Sequence, residues 1–342
     1  MGENEKKVVF KGKSLSIKAV NLSHKTELKP VQDFIRQFNN PQTYLEIQTS
    51  GSTGAPKTIR LPKEHMKASA LKTLRFLKVK PGDRALLCLP TDKVGGLMML
   101  MRWWVGKLDL HIVEPQSRPL ENLVGNFDFA AMVPYQASQS LDQLGCIQKL
   151  IIGGGPVPPD LETKLREKRT GEVWHTYGMT ETISHVAMRR LNAGGSDHFK
   201  AMDGVHFDID ERNCLVIHSP DIGVKNLITN DVVELLSPHE FKWLGRYDNV
   251  VNSGGVKLFP EAIEAKMGGW DYPFFLAGKP DKDLGHKLVM LVETARAIKK
   301  EEVKHLFQKL TPYEIPKEII NLARFEYTSN GKLNRPETLL KI

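Results

Sequence analysis

Nine residues, Thr49-Ser50-Gly51-Ser52-Thr53-Gly54-Ala55-Pro56-Lys57, hold four hydroxyl groups, two glycines and a lysine. Such a stretch can cradle a chain of phosphates. Glycine lets the backbone approach an anion closely with its N–H groups turned inward. Hydroxyls add donors, and lysine adds a mobile point charge. The alternating Tyr44-Leu45-Glu46-Ile47-Gln48 predicts a strand running into this loop. The order differs from G-x-x-x-x-G-K followed by Ser or Thr, because the lysine stands three residues after the last glycine with Ala55-Pro56 between. The plain alternative is a Ser/Gly surface turn.

Further groups follow along the chain. Ile151-Ile152-Gly153-Gly154-Gly155-Pro156 reads as a strand, a bare backbone against which a flat ring could lie, and then a helix entry at Pro159-Asp160. Thr176-Tyr177-Gly178-Met179-Thr180-Glu181 follows a short strand expected at 173–174. There Tyr177 could stack on a purine, Thr180 could hold a phosphate, and Glu181 could carry Mg²⁺ between phosphates. Thr229-Asn230-Asp231 ends a strand-like run, where a carboxylate can accept both hydroxyls of a ribose. Gly245-Arg246-Tyr247-Asp248 leads through Asn252-Ser253-Gly254-Gly255-Val256-Lys257 to a helix start at Pro260-Glu261. Arg246 could clamp a ribose or phosphate, and Asp248 sits where a hinge would flex. Lys332 lies on a Gly-bearing loop near the C-terminus. Each group also has a bland reading: a helix-entry turn, a polar turn with a buried Tyr, an Asn-Asp turn, a linker, a solvated lysine.

The elements that must hold these groups alternate. Residues 8–20 predict short strands carrying Val8, Val9, Phe10, Leu15, Ile17 and Ala19. Helical spacing covers 30–38, 64–78 (Met66, Ala70, Leu74 and Leu77 inward) and 95–106. Compact apolar runs at 84–89, 110–113, 127–133 and 149–152 predict buried strands. This is α/β grammar: a large N-terminal domain of mostly parallel sheet layered with helices. Ligands then collect at the carboxyl ends of strands. Short strands at 207–209, 215–218, 232–236 and 241–244 predict an antiparallel, small β-barrel-like part closing that domain. A helix at 260–267, strands at 274–278 and 287–293 and a helix at 299–310 predict a small mobile α+β C-terminal domain. The boundary is expected near 245–248, giving 1–246 and 247–342.

The chain has 342 residues, 41% of them hydrophobic, which suffices for a large core plus a small one. A formal charge of +8 suits anionic ligands. Nucleic acid is not expected, because the basic residues are scattered and lack interleaved aromatics. Cys88, Cys146 and Cys214 have no paired spacing, which argues against a zinc site and a disulfide scaffold. The polar start, Met1-Gly2-Glu3-Asn4-Glu5-Lys6-Lys7, does not read as a signal peptide. The apolar run from Gly95 to Val105 contains Arg102 and is too short to span a bilayer. A cytoplasmic protein without stable membrane insertion is the expectation, and a homo-oligomer stays open.

Taken together and in order, the motifs resemble the signature set of the adenylate-forming superfamily: acyl-CoA synthetases, peptide-synthetase adenylation domains and luciferases. The resemblance runs from about Tyr44 to Arg335. It implies a two-step ligase using ATP, Mg²⁺ and coenzyme A with a small-molecule acid. By that resemblance Thr49, Ser50, Gly51, Ser52, Thr53, Gly54 and Lys57 hold the β- and γ-phosphates. Gly154, Gly155 and Tyr177 line the adenine, with Thr176, Gly178 and Met179 beside them. Thr180 contacts the α-phosphate, and Glu181 holds the magnesium. Asp231 and Arg246 hold the ribose, Lys332 stabilises the forming adenylate, and Asp248 is the hinge. Gly254, Gly255 and Lys257 help line a pantetheine tunnel. Lys93, Gly95, Arg102, Ser184 and His185 are the candidates for the acid pocket.

Three features lean toward the 2-succinylbenzoate–CoA ligase branch of menaquinone biosynthesis. They are the serine form of the phosphate loop, the run Gly96-Leu97-Met98-Met99-Leu100-Met101-Arg102-Trp103-Trp104, and Glu181-Thr182-Ile183-Ser184-His185-Val186. The sequence departs from the superfamily pattern as well. The part before the phosphate loop is short, Asn230 stands where Gly is usual, and Asn252 where many members carry Lys. The usual acyl-pocket His is replaced by the stretch Leu89-Pro90-Thr91-Asp92-Lys93-Val94-Gly95-Gly96. Lys93 or Arg102 could balance a second carboxylate on the acid, although Arg102 could equally pack its stem between tryptophans. Another aryl or acyl ligase, a carrier-loading enzyme and a non-catalytic nucleotide-binding protein remain as alternatives.

Overall fold

The computed structural model describes residues 6–10, 13–49, 57–168, 171–327 and 333–342. In chain order the first part comprises β1 (Lys7–Phe10), β2 (Lys13–Ser16), α1 (Ile17–Asn21), α2 (Lys29–Asn39), β3 (Tyr44–Thr49), β4 (Lys57–Pro62) and α3 (Lys63–Phe76). It continues with β5 (Arg84–Leu87), α4 (Val94–Gly106), β6 (Asp109–Ile112), β7 (Phe127–Met132), α5 (Pro134–Gln139), β8 (Ile147–Ile152), α6 (Pro159–Glu167) and β9 (Glu172–Gly178). Strands β1, β6, β5, β7, β8 and β9 pair in parallel, in that order.

These strands are apolar on both faces because both faces are covered. Ala85, Leu87, Phe129, Ala131 and Ile151 join one core with Phe34, Leu74 and Trp103 of α2, α3 and α4. The alternate residues Leu86, Ala130, Met132, Leu150 and Ile152 join a second core with Ala137, Leu161 and Leu165 of α5 and α6. Truncating a fully buried side chain such as Trp103 would cost about 3–5 kcal/mol.

The sheet then continues antiparallel through β10 (His185–Arg190), β11 (Phe199–Ala201), β12 (His206–Ile209), β13 (Cys214–Ser219), β14 (Val224–Ser237) and β15 (Glu240–Arg246). Their order outward from β9 is β10, β11, β15, β14, β13, β12. The strands expected as a barrel-like part thus extend the main sheet, with β12 at its edge. A second sheet holds β16 (Val251–Ser253), β17 (Val256–Leu258), β18 (Phe274–Asp281), β19 (Gly285–Glu293) and β20 (Glu318–Leu322), with α7 (Pro260–Met267), α8 (Lys300–Val303) and α9 (Arg335–Leu339). It has its own apolar cluster around Val251, Ile263, Leu288 and Met290.

Several expectations are corrected. Ile17 and Ala19 lie in α1, not in a strand, because the Ser16 side chain caps that helix on the Ala19 N–H at 3.3 Å. The helix expected at 299–310 is only α8 followed by a 3₁₀ turn, Lys304–Phe307. Asp231 does not end its strand. It lies inside the long β14, next to a register shift between Val232 and Val233. The strand expected at 173–174 runs on through Tyr177 to Gly178. The loop after β3 is followed by an unforeseen strand, β4, antiparallel to it, with Thr49 opposite Lys57. Among the described residues, no helix is long and apolar enough to cross a membrane.

Candidate active site

Two loops leave adjacent parallel strands on the same side of the sheet: Gly153–Gly155 after β8, and Met179–Ser184 after β9. That side is where open α/β sheets bind ligands. Tyr177, near the end of β9, donates its hydroxyl to Asp231 Oδ2 at 2.7 Å. Trp243 of β15 donates its indole N–H to Asp231 Oδ1 at 3.1 Å. The Asp231 N–H donates to Thr229 Oγ1, and Arg246 stands 3.7 Å from Oδ1 across the strand pair. Burial, and then the Asp231 carboxylate, push the Tyr177 hydroxyl well above its ordinary pKa. Phe199 and Phe241 brace its ring at 5.7 and 5.0 Å. A carboxylate offers about four acceptor sites, so Asp231 keeps capacity beyond its Tyr and Trp donors.

The second loop is tightly built. A Cβ on Gly178 would lie 2.3 Å from the Ser184 carbonyl oxygen, so only glycine allows β9 and β10 to close there. Thr180–Thr182 form one 3₁₀ turn. The buried Thr182 hydroxyl accepts from the Met179 N–H at 2.9 Å and donates to the Ser184 carbonyl at 2.7 Å. Ile183 then has φ +64° and ψ −48°, and the Ser184 N–H bonds back to the Thr182 carbonyl at 2.6 Å. This is a γ-turn of the strained hand, centred on a buried β-branched residue. Such backbone costs on the order of 1–3 kcal/mol and persists only where its surroundings enforce it. Glu181 is exposed on this loop and makes no ion pair among the described residues. Thr180 stands beside it.

The turn delivers Ser184 and His185 to Arg102. Arg102 projects from α4 and is only 2% exposed. Its Nη2 donates to Ser184 Oγ at 2.9 Å. Its Nε has no partner among the described residues. Burial lowers its pKa to about 9. His185 packs beside it with Nε2 3.0 Å from Thr73 Oγ1 of α3 and Nδ1 3.4 Å from Ser184 Oγ. Burial, and then the Arg102 charge, hold His185 far below its usual pKa, so the ring is neutral. The result is a buried cation with hydroxyl and imidazole neighbours but no anion among the described residues. Lys93 does not join this cluster. It occupies the N-cap position of α4 without a side-chain cap bond and pairs with Asp92 at 3.3 Å. Arg102 lies nine positions further along the helix, about 13 Å along the axis. Gly95 lies in the first turn of α4.

Asp248 lies in the 3₁₀ turn Tyr247–Asn249, where Asn230 donates to it at 3.3 Å and Arg246 approaches to 3.5 Å. Gly254 and Gly255, at φ +57° and +83°, make the two-residue turn between β16 and β17, which places Lys257 exposed on β17 opposite Asn252. Ser50, Gly51, Ser52, Thr53, Gly54 and Lys332 lie outside the described residues. Thr49 and Lys57 are described as paired ends of β3 and β4.

Comparison with known proteins places this architecture. Residues 8–204, more than half of the chain, match the family of AMP-binding enzymes. This chain belongs to that family. Its class is the AMP-forming acid–thiol ligase. A 2-succinylbenzoate–CoA ligase of Bacillus cereus is 26% identical, over 90% of this chain and 75% of its own length. A crystal structure of an acyl-CoA synthetase (AMP-forming)/AMP-acid ligase II-like protein from Dyadobacter fermentans is 33% identical. It covers 95% of this chain and 97% of its own, with a TM-score of 0.65. The Bacillus subtilis O-succinylbenzoate coenzyme A synthetase, solved with ATP and magnesium, shares the fold with a TM-score of 0.74 at 20% identity. It covers 86% of this chain and 69% of its own.

Thr73 and Trp243 are not marked by the sequence, and Thr229 stands in its motif there without a role. Trp243 sits within the alternating strand at 240–246 and looks like any core aromatic. Its indole N–H is what matters, and only the pairing of β14 with β15 reveals that partner. Thr229 precedes Asp231 by two residues, a local hydroxyl-to-backbone spacing that could have been read.

Proposed function

We propose that this protein joins 2-succinylbenzoate, an acid with a second carboxylate, to coenzyme A with conversion of ATP to AMP and pyrophosphate. The observation that carries this reading is Arg102: a buried guanidinium, lacking a carboxylate partner among the described residues, beside the loop that would hold the reacting phosphate. Burying a lone cation is unfavourable, and a substrate carboxylate would relieve it. The 2-succinylbenzoate–CoA ligases among its relatives support the same acid.

In this reading Thr180 binds the α-phosphate while the acid's carboxylate attacks it and pyrophosphate leaves. Glu181 is exposed and unpaired among the described residues, as a hard-cation ligand should be, and would hold Mg²⁺. Bound there, the ion would supply neutralisation of phosphate charge. Asp231 and Arg246 take the ribose hydroxyls, while Tyr177, Gly154 and Gly155 face the adenine, flanked by Thr176, Gly178 and Met179. Thr49, residues 50–54 and Lys57 take the outer phosphates, and Lys332 stabilises the charge developing on the adenylate. We divide the chain into domains 1–246 and 247–342, turning about Asp248. In the second orientation Gly254, Gly255 and Lys257 guide coenzyme A, whose thiol attacks the acyl carbon and releases AMP. The reaction is placed in the cytoplasm.

The test is ATP–pyrophosphate exchange with a panel of acids. Exchange with 2-succinylbenzoate that is weak with benzoate supports the assignment. Exchange with a monocarboxylic acid alone would keep the ligase and reject the acid. No exchange with any acid, in a chain that binds ATP, would reject the ligase reading.

A further inference from the structure

The wall of the Gly153–Gly155 turn is bolted from behind by a chain of side chains that the reaction itself does not use. Glu162 of α6 takes a two-pronged contact from Arg189 of β10, Nη2 to Oε2 at 2.7 Å and Nη1 to Oε1 at 3.0 Å. Both side chains are largely buried. Arg189 Nε donates to His175 Nδ1 of β9 at 3.2 Å. An arginine only donates, so Nδ1 must be the lone pair and the ring proton must sit on Nε2. That Nε2–H points at the Gly155 carbonyl oxygen, 3.3 Å away. The next residue, Thr176, donates its hydroxyl to the Ile152 carbonyl at 3.3 Å and fills the space beside Gly153, where a Cβ would lie 2.3 Å from its oxygen. On the other side, a Cβ on Gly155 would meet nothing within 4 Å. The turn is therefore held firmly at its back and open at its face.

We infer that His175 is a positioning residue for the nucleotide base: its Nε2–H fixes the Gly155 carbonyl, and the Arg189–Glu162 pair fixes His175 in the one tautomer that can do so. This rests on the proposed nucleotide site and adds to it the residue that sets the shape of the base pocket. Phe199 contacts the His175 ring at 5.2 Å and the Tyr177 ring at 5.7 Å, so one aromatic links the turn to the residue facing the base. Burial, and then the Arg189 charge, hold the His175 pKa at about 4, so the donor stays in place across the working pH range. A neutral donor also keeps this wall from drawing phosphate into the base site.

Calorimetry of the full chain with ATP and with inorganic tripolyphosphate tests this. His175→Ala should weaken ATP about tenfold, the worth of one well-placed hydrogen bond, and leave tripolyphosphate within about twofold. His175→Phe keeps the ring volume against Phe199 and should show the same split. His175→Gln restores an N–H at similar reach and should recover most of the ATP affinity. Equal weakening of both ligands would mark a general structural defect and overturn the assignment. So would a His175→Phe variant that binds ATP as the unaltered chain does. An unaltered chain that binds tripolyphosphate but not ATP would overturn the base site itself, and the role of His175 with it.

Discussion

Asp231 and Arg102 are both buried charges of the candidate site, and the protein treats them differently. Asp231 is met by a phenol at 2.7 Å, an indole N–H at 3.1 Å and the Arg246 cation at 3.7 Å. Among the described residues, Arg102 is met by one serine hydroxyl at 2.9 Å and a neutral imidazole, with its Nε left over. The first cluster is nearly complete without a ligand. The second is destabilising until an anion arrives. A site assembled in advance suits a ligand common to every turnover, whereas an uncompensated charge suits discrimination, because the wrong acid leaves it unpaired.

The sharpest way to break this contrast is to delete each charge. Asp231→Ala leaves the Tyr177 hydroxyl and the Trp243 N–H without their acceptor. It should lower stability by roughly 3 kcal/mol and ATP affinity by more than about 100-fold, read by denaturant unfolding and calorimetry. Arg102→Met should do the opposite to stability. It removes a buried charge that has no carboxylate partner among the described residues, and should stabilise the unliganded chain by about 1–3 kcal/mol while raising the KM for a dicarboxylic acid by about 50-fold. A drop in both quantities would show that Arg102 holds the fold rather than the acid. Tyr177→Phe removes one of the donors to Asp231 and should cost only about 1 kcal/mol in stability, with a few-fold loss in ATP affinity.

The smallest effect is in pH. The folded pKa of Arg102 is lowered to about 9, well below the ordinary guanidinium value, so folding disfavours its charged form. Its penalty is complete below pH 9 and fades as pH rises toward the unfolded value. The difference in Tm between Arg102→Met and the unaltered chain should therefore be flat from pH 6 to 8 and narrow above about 9. A gap that stays constant to pH 10.5 would assign it to packing.

Much of the fold could be read in advance, because buried parallel strands leave an unmistakable trace. Runs such as Ala85-Leu86-Leu87 and Leu150-Ile151-Ile152 are apolar at every position, since each neighbour faces a different core. Local chemistry misled where it competed with alternation, as when Ser16 turned Ile17 and Ala19 into a helix. The antiparallel arm was legible as strands but not as an extension of the main sheet, because pairing between β11 and β15 is long-range and leaves no local pattern. In the site, loops with unusual composition were easy to find. The partners that decide their chemistry were not: Thr73 is an ordinary helix residue until α3 packs against β10 and brings its hydroxyl to His185.

Ile183 has a meaning for sequence drift. Its backbone sits where glycine is at ease and isoleucine is not. Yet its side chain belongs to the main apolar core, and emptying that space costs about 2–5 kcal/mol, more than the strain of the turn, so variants sorted for thermal survival should keep a bulky apolar residue at 183 and shun glycine. The buried side chain is thus the anchor that keeps the γ-turn wound and Ser184 against Arg102.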